Sequence, residues 1–348
     1  MDELVFTRPD DWHLHLRDGA LLEAVLPHTA AWFGRAVVMP NLKPPVSDTD
    51  RARAYRDEIR ALLPAESRFE PLMAAYLTED GDPADIVAGH REGVIFGVKY
   101  YPAHATTHSA AGVRAIENVY RHLEAFEEAQ VPVLFHGEVT DPDIDIFDRE
   151  AVFIERILEP LRARFPGLKV VLEHLTTRDG VEFVKSQHGA VGATITCHHL
   201  MHDRNAMFQG GLRPHLYCLP ILKARPHTEA LRAAATSGLG MFFLGTDSAP
   251  HLKHAKETDC GCAGVFNAPV ALSTYAEVFE EEGALDRFEA FASLNGPRFY
   301  GLRPNSDRIR LRRAETTPPS QVSVPGEGQI VVFEGDRAHR WVPEPASP

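Results

Sequence analysis

The stretch DWHLHLRDG, residues 11–19, sets His13, His15 and Arg17 two residues apart, with Leu14 and Leu16 between them. On a β-strand, residues i, i+2 and i+4 share a face. This spacing therefore aims two imidazoles and a guanidinium one way and the leucines the other. Two imidazoles side by side suit two ligands of one metal ion, and the arginine beyond them suits an anion. The same motif also arises as chance alternation on a half-exposed strand, so its meaning depends on the rest of the chain. Lys99 closes the apolar run GVKYYP, His136 closes VLFHGE, His174 closes VVLEHLTT, and FFLGTDSAPH carries Asp247 and His251. Each has a bland reading of its own. A lone lysine snorkels to the surface, a buried histidine is satisfied structurally, and an aspartate after a strand caps the next helix. Jointly they set side chains that ligate or hold a metal at the ends of five apolar runs.

Those runs belong to eight strand candidates: 12–16, 35–40, 69–77, 94–100, 131–137, 169–175, 190–197 and 241–247. Most are almost continuously apolar, as parallel strands covered on both faces must be. Helical patterns lie between them. One begins at SDTDRARAYRDEIRALL with Ser47 as the expected N-cap; residues 110–130 and 148–165 carry apolar side chains at three- and four-residue spacing. Eight β/α units predict an α/β fold, a (β/α)8 barrel of TIM type, with a doubly wound open sheet as the alternative. Barrel enzymes keep their chemistry at the carboxyl ends of the strands, where these side chains stand. The barrel is assigned to 1–303. Residues 304–348, rich in proline and polar groups, read as a C-terminal extension with one short strand in QIVVFEGD and a loose tail in VPEPASP.

Composition narrows the partners. The 348 residues carry 36 basic and 49 acidic side chains, a net charge of −13, with no lysine-arginine block. Nucleic acid and anionic membranes both call for a basic patch, so neither is expected, although a locally basic pocket for a small anion is compatible. No apolar run approaches the ~20 residues of a membrane span. MDELVFTRPDD lacks the features of a secretory signal, and four cysteines are too few for a disulfide framework. A cytoplasmic, reduced protein is expected. CHH (197–199) and CGC (260–262) look like zinc ligands, but structural zinc usually needs two clusters at C-x2-C spacing, and both are set aside. YPAHATTHSAAG, after Lys99, has the small polar make-up of a mobile lid or of an ordinary exposed loop. His104 and His108 within it are read as solvent-facing, and Lys253 and His254 as lying just outside the pocket.

The order H-x-H, Lys, His, His, Asp matches the ligand order of the amidohydrolase superfamily with a binuclear metal centre. HLHLRDG, MPNLKPP, GVKYYPAHATT, FHGE, EHLTT, GGLRPHLYCLPILK, FLGTDSAPH, CGCAGVFNAP and LNGPRFYGL resemble the dihydroorotases of the short bacterial type, from about residue 5 to about residue 303. The resemblance implies two zinc ions per subunit. His13, His15 and Asp247 would bind one, His136 and His174 the other, and Lys99 would bridge both as an N-carboxylated side chain formed with carbon dioxide. It implies Asp247 as general acid and base. It places the substrate carboxylate on Arg17, Asn41 and His251, the ring on Leu219 and Ala263, further substrate contacts on His15 and His136, and lid contacts on Thr106 and Thr107. The implied reaction is the reversible cyclisation of N-carbamoyl-L-aspartate to dihydroorotate in pyrimidine synthesis, carried out by a homodimer.

Dihydropyrimidinases and allantoinases share the ligand pattern. Arg17 and Asn41 separate the readings, because a neutral ring would leave a buried cationic group unpaired. A catalytically dead scaffold would be expected to lack ligands, and all six positions are filled. A zinc store would not explain ligands scattered over five strand ends.

Overall fold

The computed structural model describes residues 2–187 and 189–346. Its centre is one eight-stranded sheet of parallel strands in chain order: Asp11–Leu14, Arg35–Val38, Glu70–Tyr76, Ile95–Tyr100, Val133–Phe135, Val170–Leu172, Val191–Ile195 and Phe242–Leu244. The two edges meet. The Asp247 amide donates to His13 O at 2.8 Å, the His15 amide donates to Ser248 O at 2.9 Å, and Leu14 bridges Ser248 in parallel. The expected barrel is therefore the fold, and the open-sheet alternative falls.

The apolar runs are continuous because each strand is covered twice. Inward, Trp12, Val37, Met39, Ala74, Leu134, Val171 and Phe243 fill the barrel. Outward, alternate residues such as Val38, Val98, Phe135, Leu172 and Leu244 pack under the helices. Tyr300 stacks on Trp12 at 4.7 Å between ring centres, with Phe96 and Phe299 beside it. No helix among the described residues is long and apolar enough to cross a membrane.

Local departures from the expected elements have local causes. Asp48, not Ser47, caps the helix Thr49–Ala61, accepting from the Arg51 amide at 2.9 Å. The helix expected over 110–130 forms only from Ile116, first as a 3-10 turn and then as Tyr120–Ala129. Val113 N instead donates to Tyr101 O at 2.8 Å and Val113 O accepts from Ala103 N at 2.9 Å, which folds the start of that stretch back onto the loop after Lys99. The 148–165 helix carries one π-turn at Ile154–Leu158.

The ends of the chain pair with each other. Glu3–Thr7 runs antiparallel to Arg308–Thr316, which pairs in turn with His339–Pro345. Gln321–Val324 and Gly328–Val331 form a separate hairpin, the latter being the short strand expected in QIVVFEGD. The expected loose tail VPEPASP is corrected in part: residues 342–345 lie in the third strand of the terminal sheet, tied by Arg310 and Arg312 to Glu344, and Ser347 and Pro348 lie outside the described residues.

Candidate active site

The ends of five strands converge as the spacing predicted, though not wholly by strand geometry. The first strand stops at Leu14, with a register break between Asp11 and Leu14. Trp12 fills the barrel while Leu14 and Leu16 pack outside it. Arg17 lies beyond the strand with φ +62 and is placed by its partners rather than by alternation. Its Nε donates to Pro250 O at 3.1 Å, its Nη2 stands 3.1 Å from His251 Nε2, and its carbonyl accepts from the Tyr55 hydroxyl.

His13, His15 and Asp247 each offer a ligand atom within 4.8 Å of the others. His13 Nε2 and His15 Nε2 lie 3.3 and 3.1 Å from the same Asp247 oxygen. The imidazole chain continues, with ring centres 5.0 Å apart from His13 to His174 and 4.8 Å from His174 to His136. Lys99 lies fully buried near the same groups, its Nζ 5.3 Å from the Tyr101 ring centre and without a hydrogen-bond partner. His174 and Asp247 adopt left-handed conformations, φ +41 and +45, uncommon for such residues and concentrated at functional sites.

Further carboxylates, unforeseen from the sequence, orient this set. Glu173 Oε2 lies 2.6 Å from His13 Nδ1, and Glu138 Oε2 lies 2.9 Å from His136 Nε2, each contact engaging one nitrogen of its ring. Glu150, buried in the next shell, accepts from the amides and hydroxyls of both Thr176 and Thr177, fixing the turn that follows His174.

The remaining expected residues fall into two groups. Asn41 Oδ1 meets His15 Nδ1 at 2.8 Å while its Nδ2 donates to Thr107 O at 3.0 Å, so Asn41 links the first strand end to the loop after Lys99. Thr107 Oγ1 donates to Ala263 O at 3.3 Å, and His251 Nε2 lies 3.0 Å from that same carbonyl. Thr106 is engaged within its own turn, its amide donating to Ser109 Oγ at 2.9 Å. The segment bearing Leu219 runs beside that of Ala263, joined where Gly264 N donates to Tyr217 O at 3.0 Å. His104 and His108 are exposed, as expected, though His108 Nδ1 also meets Asn41 O at 3.1 Å.

Burial makes most of these imidazoles neutral. It pushes His15 down to about 3 and His251 to about 2, with Arg17 adding to both, and it carries His174 well below the ordinary value with help from Lys99. His13 differs: against burial and Lys99, the carboxylates of Glu173 and Asp247 hold its pKa above the usual imidazole value. Asp247 is held well below the usual carboxylate value, against burial, by His13 and His15. Burial lowers the Lys99 amine to about 8.

The set-aside CHH stretch gains a neighbour in space. His198 and His199 approach Cys218, not Cys197, with ligand atoms within 4.8 Å. His199 is already bonded through Nδ1 to Thr196 Oγ1 and through Nε2 to Pro220 O, and the Cys218 thiol also donates to Pro220 O.

A closed (β/α)8 barrel with histidines, a buried lysine and an aspartate at its strand ends defines a class. Residues 10–311 match the amidohydrolase family, and the chain belongs to it, a hydrolase acting on a cyclic amide. More particularly, it belongs with the dihydroorotases. It is 57% identical to the dihydroorotase of Cupriavidus taiwanensis over 97% of this chain and 98% of that one. Among solved structures it is similar to the dihydroorotase of Saccharomyces cerevisiae in complex with 5-fluoroorotic acid (TM-score 0.92, 32% identity, 100% of both chains). It is also similar to that of Campylobacter jejuni (TM-score 0.90, 34% identity, 99% of this chain and 98% of that one).

Proposed function

We propose that this enzyme interconverts N-carbamoyl-L-aspartate and dihydroorotate, using two zinc ions held by His13, His15 and Asp247 and by His136 and His174, with a carboxylated Lys99 shared between them. The observation that carries the reading is Lys99. Its buried amine has no hydrogen-bond partner and stands among neutral imidazoles and Asp247. A buried ammonium left without a partner is costly. With its pKa lowered to about 8, roughly a tenth of the amine is unprotonated at pH 7, far more than of an ordinary lysine. That fraction is free to add carbon dioxide, which yields an anionic, two-oxygen ligand. The donor set fits a cation in a second respect: Glu173 and Asp247 hold positive charge on His13 against burial, and a metal ion would supply that charge in place of the proton.

Bound there, the metals would polarise the ring carbonyl and make water acidic enough to attack it near neutral pH. The protein does the rest. Arg17 presents a guanidinium braced by Pro250 O, with its buried Nη1 still without a partner, suited to a two-pronged grip on the substrate carboxylate. Asn41 and His251 complete that side, and main-chain groups of Leu219 and Ala263 line the ring. Thr107 reaches Ala263 O from the loop after Lys99 and ties that loop to the segment that would contact the ring. Asp247, ionised and facing His13 and His15, accepts the proton of the attacking water and passes it to the departing ring nitrogen; cyclisation runs the same transfers backwards. The four cysteines are free, in keeping with a cytoplasmic enzyme, and the resemblance adds the expectation of a homodimer.

The test is a comparison of dihydroorotate, dihydrouracil and allantoin as substrates of metal-replete protein. Turnover of dihydroorotate well above the other two is expected. Preference for a neutral ring would overturn the assignment.

A further inference from the structure

Lys256 ends the short helix Lys253–Lys256 that follows the last barrel strand, and only 4% of its surface is exposed. Its ammonium faces three main-chain carbonyls: Tyr217 O at 3.0 Å, Cys262 O at 2.8 Å and Gly264 O at 2.6 Å. A lysine ammonium has three N–H donors, so all three are used. Two of the acceptors flank Ala263 in the chain, and the third lies two residues before Leu219.

These segments are otherwise weakly tied to each other. Neither residues 257–264 nor 217–222 belong to a helix or strand, so no ladder satisfies their carbonyls, and buried carbonyls need partners from elsewhere. Gly264 has φ +153, and a Cβ there would come within 2.7 Å of Ala249 O and 2.8 Å of His251 Cδ2. The chain is thus pressed against the His251 loop at the point where Lys256 holds it. A hydrogen bond from the Gly264 amide to Tyr217 O joins the two segments directly; Lys256 makes that link a three-cornered joint.

We propose that Lys256 is a positioning residue for substrate binding: its buried ammonium sets the spacing between the Leu219 and Ala263 segments, and with it the fit of the ring. The inference rests on the reading that those two residues contact the substrate. It assigns Lys256 no part in proton transfer or metal binding.

The experiment measures steady-state kinetics with dihydroorotate, metal content and melting temperature for the full-length wild type, Lys256→Met and Lys256→Gln. Methionine keeps the stem and removes every donor. Glutamine keeps two N–H donors on a shorter stem and covers the case in which the methionine variant does not fold. In Lys256→Met, KM is expected to rise about tenfold with kcat within about threefold of wild type and metal content unchanged, the pattern of lost binding rather than lost chemistry. Lys256→Gln should fall between the two. A merely structural lysine would lower the melting temperature and the active fraction while leaving KM as it was, and that result in either soluble variant overturns the proposal. A parallel loss of metal and kcat overturns it as well. If the wild type itself does not turn over dihydroorotate, the functional reading fails and takes this inference with it; an active wild type with unchanged KM in the variants removes the inference alone.

Discussion

Glu173 holds His13 in one tautomer. With its Oε2 at 2.6 Å from Nδ1, that nitrogen keeps its proton, and Nε2, facing Asp247, is the nitrogen at which a metal ion would replace a proton. Glu173→Gln keeps the shape but removes the charge, and second-layer partners of this kind typically govern metal affinity by about 10–100-fold. We therefore expect Glu173→Gln to lose metal on dialysis under conditions where the wild type retains it, with activity recovered by excess zinc; metal analysis before and after dialysis checks this, and equal retention would show that the contact is dispensable. His13, His15, Lys99, His136, His174 and Asp247 were legible in the sequence only jointly, as ligand-type residues gathered at the ends of five apolar runs, since each alone has a structural reading. Glu173 and Glu138 were not. Strict alternation puts Glu173 on the opposite face from His174, and it is the left-handed backbone of His174, φ +41, that lets both face the pocket. Such a conformation has no signature in the residue letters.

Among the elements, the eight strands were readable from apolar runs alone, since double coverage leaves few polar residues in them. The loops were less so, because tertiary partners decide them. Val113 gives its hydrogen bonds to the loop after Lys99 and so postpones a helix that periodicity would start earlier. Lys256 illustrates the same limit: nothing in the letters KHAKETD marks it for burial, yet the fold closes over it. That burial has a consequence for stability. Desolvation lowers the Lys256 pKa from 10.5 to about 8, with Cys218 and Cys262 acting to raise it and Arg17 to lower it. Between about pH 8 and 10.5 the unfolded chain then binds more of this proton than the native one, so this residue's contribution to stability rises with pH across the window and its penalty is fully present below it. The full swing is on the order of 3 kcal/mol. Denaturant midpoints of wild type and Lys256→Met, measured at several pH values from 7 to 10.5, should show the wild type gaining on the variant as pH rises. A constant difference would mean that the ammonium is not desolvated in the native state.

At the scale of the whole molecule, the boundary expected near residue 303 meets a sheet that joins both ends of the chain. Glu3–Thr7 pairs with Arg308–Thr316, and Thr7 also bonds through its amide and hydroxyl to Glu289 beside the barrel. On the other side, buried Glu277 of the helix Ala271–Glu281 accepts from the Arg340 amide at 2.7 Å and from Arg337 at 2.5 Å, with His339 at 3.6 Å. Trp341 is fully buried between these elements, its indole N–H pointing at Glu280 Oε2 at 3.3 Å. We propose that residues 304–348 are part of the folding unit of the barrel. Removing them would strip a neighbour from the first strand of the chain, take from Glu277 its Arg337 and Arg340 partners, and uncover the apolar surface that Trp341 packs against. Trp341→Ala tests the same point with less disruption: truncating a buried tryptophan costs about 3–5 kcal/mol, which should appear as a lower denaturant midpoint in a single transition shared by tryptophan fluorescence and circular dichroism. Two separate transitions, with the barrel's midpoint unmoved, would instead mark residues 304–348 as an appendage that the barrel can do without.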